Sequence, residues 1–246
     1  MEGTIPKLLQ RIVRDNPNGP AQLSKDADDV FQPTSYETLY REVSYFAAGM
    51  KSMGVGRGDH VGLIADNRKE WLIADLAVLC LGAADVPRGN DATTGEVRYI
   101  LGFADVRFCI VENEAQLRKV GELKPDLPKL ERIGVLDPTF QVKDTSIDGV
   151  EIIEYHAIMD AGRQALGRNP DEVDREIAQG EENDVATIIF TSGTTGEPKG
   201  VMLSHRAALN NVRAQSTHWS VTEEDVSVNW LPLYHDMGLF IEVLLP

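Results

Sequence analysis

Ten residues, TSGTTGEPKG at 191–200, gather three glycines, four hydroxyl side chains and a lysine. Phosphate binding calls for groups of these types. Gly193, Gly196 and Gly200 let the backbone fold around an anion, so that its N–H groups point inward. Thr191, Ser192, Thr194 and Thr195 add rotatable donors, Lys199 adds a positive charge, and Pro198 stiffens the approach to it. The alternative is a plain glycine-rich turn, polar because it is exposed. The Walker pattern does not apply, because counting from Gly193 puts Pro198 where the second glycine of G-x-x-x-x-G-K-[ST] belongs. A second group with chemical potential is Tyr234 and His235 in NWLPLYHDMGL (229–239). The other histidines lack partners at ligand spacing. Ser204 reads as the N-cap of a helix beginning at His205, which gives both a structural role.

These groups need elements to hold them. The apolar run VATIIF (185–190) reads as a buried strand leading straight into the glycine loop. Upstream, YETLYREVSYFAAGMKSMGV (36–55) has helical spacing, and GVGRGD (54–59) stops that helix before the strand HVGLIA (60–65). The G-x-G at 54–56 follows a helix and precedes a strand, which is the wrong order for a dinucleotide fingerprint and marks a turn. Helical patterns at 68–83, 93–104 and 114–124 then alternate with strand patterns at 84–87, 106–111 and 131–136. The alternation predicts an α/β fold, a mostly parallel sheet with helices on both faces. Residues 137–150 read as a loop and 155–167 as a helix. The acid-rich stretch 168–184 reads as a solvated helix and linker, and as the best place for a boundary. The expected division is a first α/β subdomain over 1–180 and a second unit over 181–246 that carries the glycine loop.

Composition narrows the function. A formal net charge of −15 over 246 residues argues against a nucleic-acid groove, but leaves room for a nucleotide held by one cationic loop. Cys80 and Cys109, the only two cysteines, sit in apolar runs and read as buried reduced thiols. The longest apolar run, 71–86, is too short to span a bilayer and contains Asp75. The N-terminus lacks a signal-peptide pattern, so the expected location is cytoplasmic, with peripheral membrane contact left open.

The segment TSGTTGEPKGVMLSH (191–205) closely resembles the phosphate loop of the adenylate-forming superfamily. That superfamily includes acyl-CoA synthetases, acyl-AMP ligases, luciferases and peptide-synthetase adenylation domains. Residues 229–239 resemble its next block, and 36–71 its helix–turn–strand layout. The resemblance implies the N-terminal part of that fold and a two-step reaction. A carboxylate attacks the α-phosphate of MgATP, pyrophosphate leaves, and the acyl group passes to CoA or to a carrier-protein thiol. It also implies roles for residues. Thr191, Ser192, Gly193, Thr194, Thr195, Gly196 and Lys199 would hold the β- and γ-phosphates, and His235 would sit near the carboxylate and α-phosphate. Tyr234 would line the acyl pocket or simply pack. Lys199 and His235 are the expected catalytic pair. Segments 83–120 and 231–239 most resemble fatty acyl-CoA synthetases and fatty acyl-AMP ligases, which points to a medium- to long-chain fatty acid.

The family's Mg²⁺-holding glutamate, ribose-binding aspartate and mobile C-terminal lid with its lysine have no counterpart in residues 1–246, and no metal ligand is assigned here. The expectation is therefore a fragment inactive on its own. The competing expectation is a naturally truncated, non-catalytic module that binds a nucleotide or another protein.

Overall fold

The computed structural model describes residues 3–26, 28–143, 145–191, 198–222, 225–228 and 230–241. A two-stranded antiparallel ribbon, β1 (Pro20–Lys25) and β2 (Phe31–Ser35), follows helix α1 (Ile5–Asp15). The main sheet has seven strands in the order β7-β6-β5-β3-β4-β8-β9. They are β3 (His60–Ile64), β4 (Ala84–Arg88), β5 (Phe108–Val111), β6 (Arg132–Val135), β7 (Glu151–Glu154), β8 (Val185–Thr191) and β9 (Lys199–Ser204). All neighbouring pairs are parallel except β8 with β9. The expected mostly parallel α/β sheet is therefore present.

Alternation along the strands sorts side chains onto two faces. Val61, Leu63, Phe108, Ile110 and Ala186 join one core, with α1, α2 (Tyr36–Ser52), α3 (Lys69–Cys80), α6 (Tyr155–Arg168), α7 (Glu172–Gln179) and α8 (His205–Trp219). Ile64, Cys109, Val111, Ile133 and Ile188 join the other, under α4 (Thr94–Phe103) and α5 (Glu114–Glu122). The two cysteines thus fall in different cores, and both are buried.

Local chemistry marks the helix boundaries. Ser35, Asn113 and Ser204 accept backbone N–H groups as N-caps, and Thr93 with Glu96 forms a capping box. Helix α3 is buried from Trp71 through Cys80, so it has no polar face and runs through the packed interior. Helices α2 and α6 cross closely: a Cβ placed on Gly162 would lie 1.7 Å from the Tyr45 carbonyl oxygen.

The acid-rich stretch is more than a solvated helix. Val173 and Ile177 of α7 are buried in the first core. Glu172 and Glu176 both pair with Lys51, Asp174 accepts from Tyr40 and Gln10, and Asp184 pairs with Arg57. Composition made this stretch look like surface. Its apolar pair and partnered carboxylates instead clasp α7 onto α2 and the turn at 54–59.

Asp75 of α3, Asp85 of β4 and Thr187 of β8 meet in the interior, where all three are buried. They share a cavity of about 10 Å³ with Ile5, Leu79, Ala186, Leu239 and Phe240. Burial, and then the facing Asp85, push the Asp75 carboxyl far above its ordinary value of 3.8, and burial also raises Asp85. Two carboxylates this close in an apolar setting share a proton rather than ionise together.

Candidate functional site

In open α/β sheets a crevice forms at the carboxyl ends of neighbouring strands whose connections leave toward opposite faces. Strands β3 and β4 meet that condition, since α3 follows β3 on one face and α4 follows β4 on the other. The loops leaving these strands carry Asn67 after β3 and Arg88–Asp91 at the end of β4. Glu112, just after β5, ties them together by accepting from the Asp66 backbone N–H at 3.2 Å and from Asn90 Nδ2 at 2.8 Å. Lys119 of α5 donates to the Asn90 and Ala92 carbonyls at 2.8 and 3.0 Å.

Residues 231–239 dock against this crevice. Asn67 Nδ2 donates to the Leu231 carbonyl at 2.7 Å, and the Leu233 N–H donates to Asn67 Oδ1 at 2.8 Å. The Tyr234 ring lies against Gly89, where an added Cβ would come within 2.5 Å of it. The Arg88 guanidinium stands over the same ring, 5.8 Å from its centre. Partial burial, and then Asp91, raise the Tyr234 phenol above its ordinary value, so it is a neutral hydrogen-bonding group at physiological pH.

His235 follows, exposed, with Nδ1 2.7 Å from Asp236 Oδ1. The same Asp236 oxygen accepts the Met237 N–H at 2.8 Å, which fixes the carboxylate in place. A proton on Nδ1 donated to Asp236 leaves Nε2 as the free face of the ring. The segment ends in a short π-helical turn, Met237–Ile241, with Leu239 and Phe240 packed into the first core.

The glycine loop leaves the sheet one strand further on. Thr191 is the last residue of β8 and Lys199 the first of β9, paired across the hairpin in register, and both are exposed. Of the other expected phosphate ligands, Ser192, Gly193, Thr194, Thr195 and Gly196 lie outside the described residues. The two ends of the loop therefore present one hydroxyl and one ammonium group at the carboxyl end of β8, a donor set that suits an anionic phosphate chain. Among the described residues, no cluster of three or more His, Cys, Asp or Glu side chains is placed to hold a metal ion, and no helix is long and apolar enough to cross a membrane.

His205 takes the structural part expected of it. It is buried, its Nδ1 accepts the Ile5 N–H at 3.4 Å, and burial pushes its pKa down to about 4. The residues that sequence reasoning missed are Asn67, Arg88 and Gly89. No local pattern marks them, because their partners lie in the 231–234 segment.

A family model described as AMP-binding enzyme matches residues 9–246. The long-chain-fatty-acid–CoA ligase ACSBG2 of Xenopus laevis is 30% identical over 98% of this chain and 32% of its own length. The long-chain-fatty-acid–acyl-carrier-protein ligase AEE15 of Arabidopsis thaliana is 27% identical over 82% of this chain and 28% of its own. Among solved structures, an anthranilate CoA ligase, AuaEII, in complex with anthranoyl-AMP superposes with a TM-score of 0.76. It is 21% identical, and the match covers 99% of this chain and 43% of that one, a likeness of fold. The chain spans about a third of the length of these two curated relatives.

Proposed function

Because the chain belongs to the family of AMP-binding enzymes, with long-chain fatty acid ligases among its relatives, we propose that it serves ATP-dependent activation of a medium- to long-chain fatty acid. The product of the first step is an acyl adenylate, and the second step passes the acyl group to CoA or to a carrier-protein thiol. The carrying observation is the loop TSGTTGEPKG, leaving the carboxyl end of β8 with Lys199 brought back opposite Thr191.

On this reading the residues divide the work. Residues 191–196 and Lys199 hold the β- and γ-phosphates, and Lys199 offsets charge that grows on the departing pyrophosphate, which lowers the barrier without proton transfer. The exposed Nε2 of His235 meets the carboxylate and α-phosphate. Tyr234 lines the acyl pocket beside Gly89. Mg²⁺, when bound with ATP, supplies further charge neutralisation for the same phosphates. Residues 1–180 form a first α/β subdomain, and 181–246 begin the ATP-binding subdomain. Catalysis draws on parts of a longer protein, as the relatives' lengths suggest, and residues 1–246 alone do not complete it. The setting is the cytoplasm.

Carboxylate-dependent exchange of pyrophosphate into ATP, run with fatty acids of graded length before CoA is added, tests the first step. In the longer protein a medium- or long-chain acid should stimulate exchange, and no stimulation by any acid there would end the proposal. A second reading is a non-catalytic nucleotide- or protein-binding module. A stop codon directly after Pro246, with nucleotide binding but no exchange, would favour it.

A further inference from the structure

Asn67 joins the carboxyl end of β3 to the 231–233 backbone by hydrogen bonds in both directions. An asparagine amide offers a donor and an acceptor side by side, as a backbone peptide does. Asn67 uses both, donating to the Leu231 carbonyl and accepting from the Leu233 N–H, so it substitutes for a strand partner across residues 231–233. Among the described residues no strand pairs with that backbone. One residue beyond the clamp lies Tyr234, held on its other side by Gly89, and one beyond that lies His235 with its ring fixed on Asp236.

We propose that Asn67 is a positioning residue for Tyr234 and His235, setting where these two side chains stand over the β3–β4 crevice; its part in turnover rests on the function proposed above. Removing the amide frees the backbone at 231–233 while the sheet beneath keeps its own ladder. Asn67→Asp keeps the acceptor for Leu233 but puts a carboxylate oxygen against the Leu231 carbonyl, so it repairs half of the clamp. Gly89→Ala acts from the other side by crowding the Tyr234 ring without touching either Asn67 bond.

Native-state hydrogen exchange on the chain reads the clamp directly. In Asn67→Ala the Leu233 amide should exchange about tenfold faster, the worth of roughly one hydrogen bond, while amides of β3 and β4 keep their protection. Asn67→Asp should fall between Asn67→Ala and the parent, and Gly89→Ala should leave Leu233 protected. Unchanged exchange at Leu233 in Asn67→Ala overturns the clamp. In the enzyme, both Asn67→Ala and Gly89→Ala should lower kcat for carboxylate-dependent pyrophosphate exchange with KM for ATP unchanged. Faster Leu233 exchange with parental kcat overturns the positioning role. A longer parent enzyme inert toward every acid counts against the proposed function, whereas hydrogen exchange at Leu233 alone decides the clamp.

Discussion

The two ends of the β3–β4 pair use glycine for opposite purposes. At the amino ends, Gly54 and Gly58 take positive φ angles of 90° and 81°, and Gly82 one of 68°. Their bonds stay local: Gly58 donates to the Gly82 carbonyl, and Gly56 to Asp59. At the carboxyl ends, Gly89 is not a turn device. It makes room for Tyr234, and its neighbours Asn67 and Arg88 face the same distant segment. A glycine-rich stretch at one end of a sheet closes a connection. At the other end, the same residue type leaves space for something arriving from elsewhere. Where the glycines sit relative to strand direction separates a turn from a site better than how many there are.

The sharpest way to separate the two ends is to compare activity with stability. Lys199→Ala should cost about 2–4 kcal/mol at the transition state, by analogy with loss of one oxyanion donor. Pyrophosphate-exchange kinetics would show it as a fall in kcat, with the thermal midpoint unmoved because Lys199 is exposed. His235→Ala should come next, at about 1.5–3 kcal/mol, the value of a hydrogen bond to a charged group. Single-turnover adenylate formation should slow while ATP binding by calorimetry holds.

Between the two ends lies the Asp75–Asp85 pair, which tests the interior rather than either rim. The folded chain keeps a proton there that the unfolded chain releases above about pH 3.8, the ordinary value for both groups. Their stability contribution is therefore complete below that pH and declines as pH rises, by up to about 1.4 kcal/mol per unit for one proton. Urea denaturation at a series of pH values should show this decline in the parent and lose it in the Asp75→Asn/Asp85→Asn double variant. His205 works in the opposite sense, losing stability as pH falls from 6.5 toward its folded value of about 4, and that slope should remain.

Gly58→Ala should cost about 1 kcal/mol of stability, because open space surrounds its Cβ position but a positive φ strains any L side chain. Its activity should match the parent; a loss of turnover would break the contrast between the ends. Smallest of all, Arg118→Ala removes an exposed i, i+4 pair with Glu114 and should shift stability by no more than about 0.5 kcal/mol.

Much of this was legible in the sequence where one periodicity ran uninterrupted. Helices α2, α3, α4 and α5 and strands β3, β5 and β6 lie where apolar spacing puts them. The ribbon β1–β2 was not legible, because PAQLSK and FQPTS have no alternating apolar pattern and mostly face solvent. Asp26 holds their turn instead, accepting from the Asp28 and Val30 N–H groups. Strand β7, EIIE, has only two apolar residues set between acids, so no apolar run marks it. At the site, residue types revealed the glycine loop and the Tyr-His pair. The Asn67 clamp stayed hidden because a hydrogen bond between remote segments leaves no trace in local spacing. The acid run misled because charge alone does not tell whether a carboxylate has a partner.

The placement of the two cysteines gives the fold a built-in pair of clocks. Burial pushes both thiols up, away from the reactive thiolate form, so neither should meet an alkylating reagent while its layer stays closed. Cys80 ends α3 within the first core, and Cys109 lies in β5 beneath α4 and α5. The rate at which each becomes modified then times the opening of one side of the sheet independently of the other. Equal rates would mean that the two layers part in a single event, and unequal rates would identify which side of the sheet lets go first.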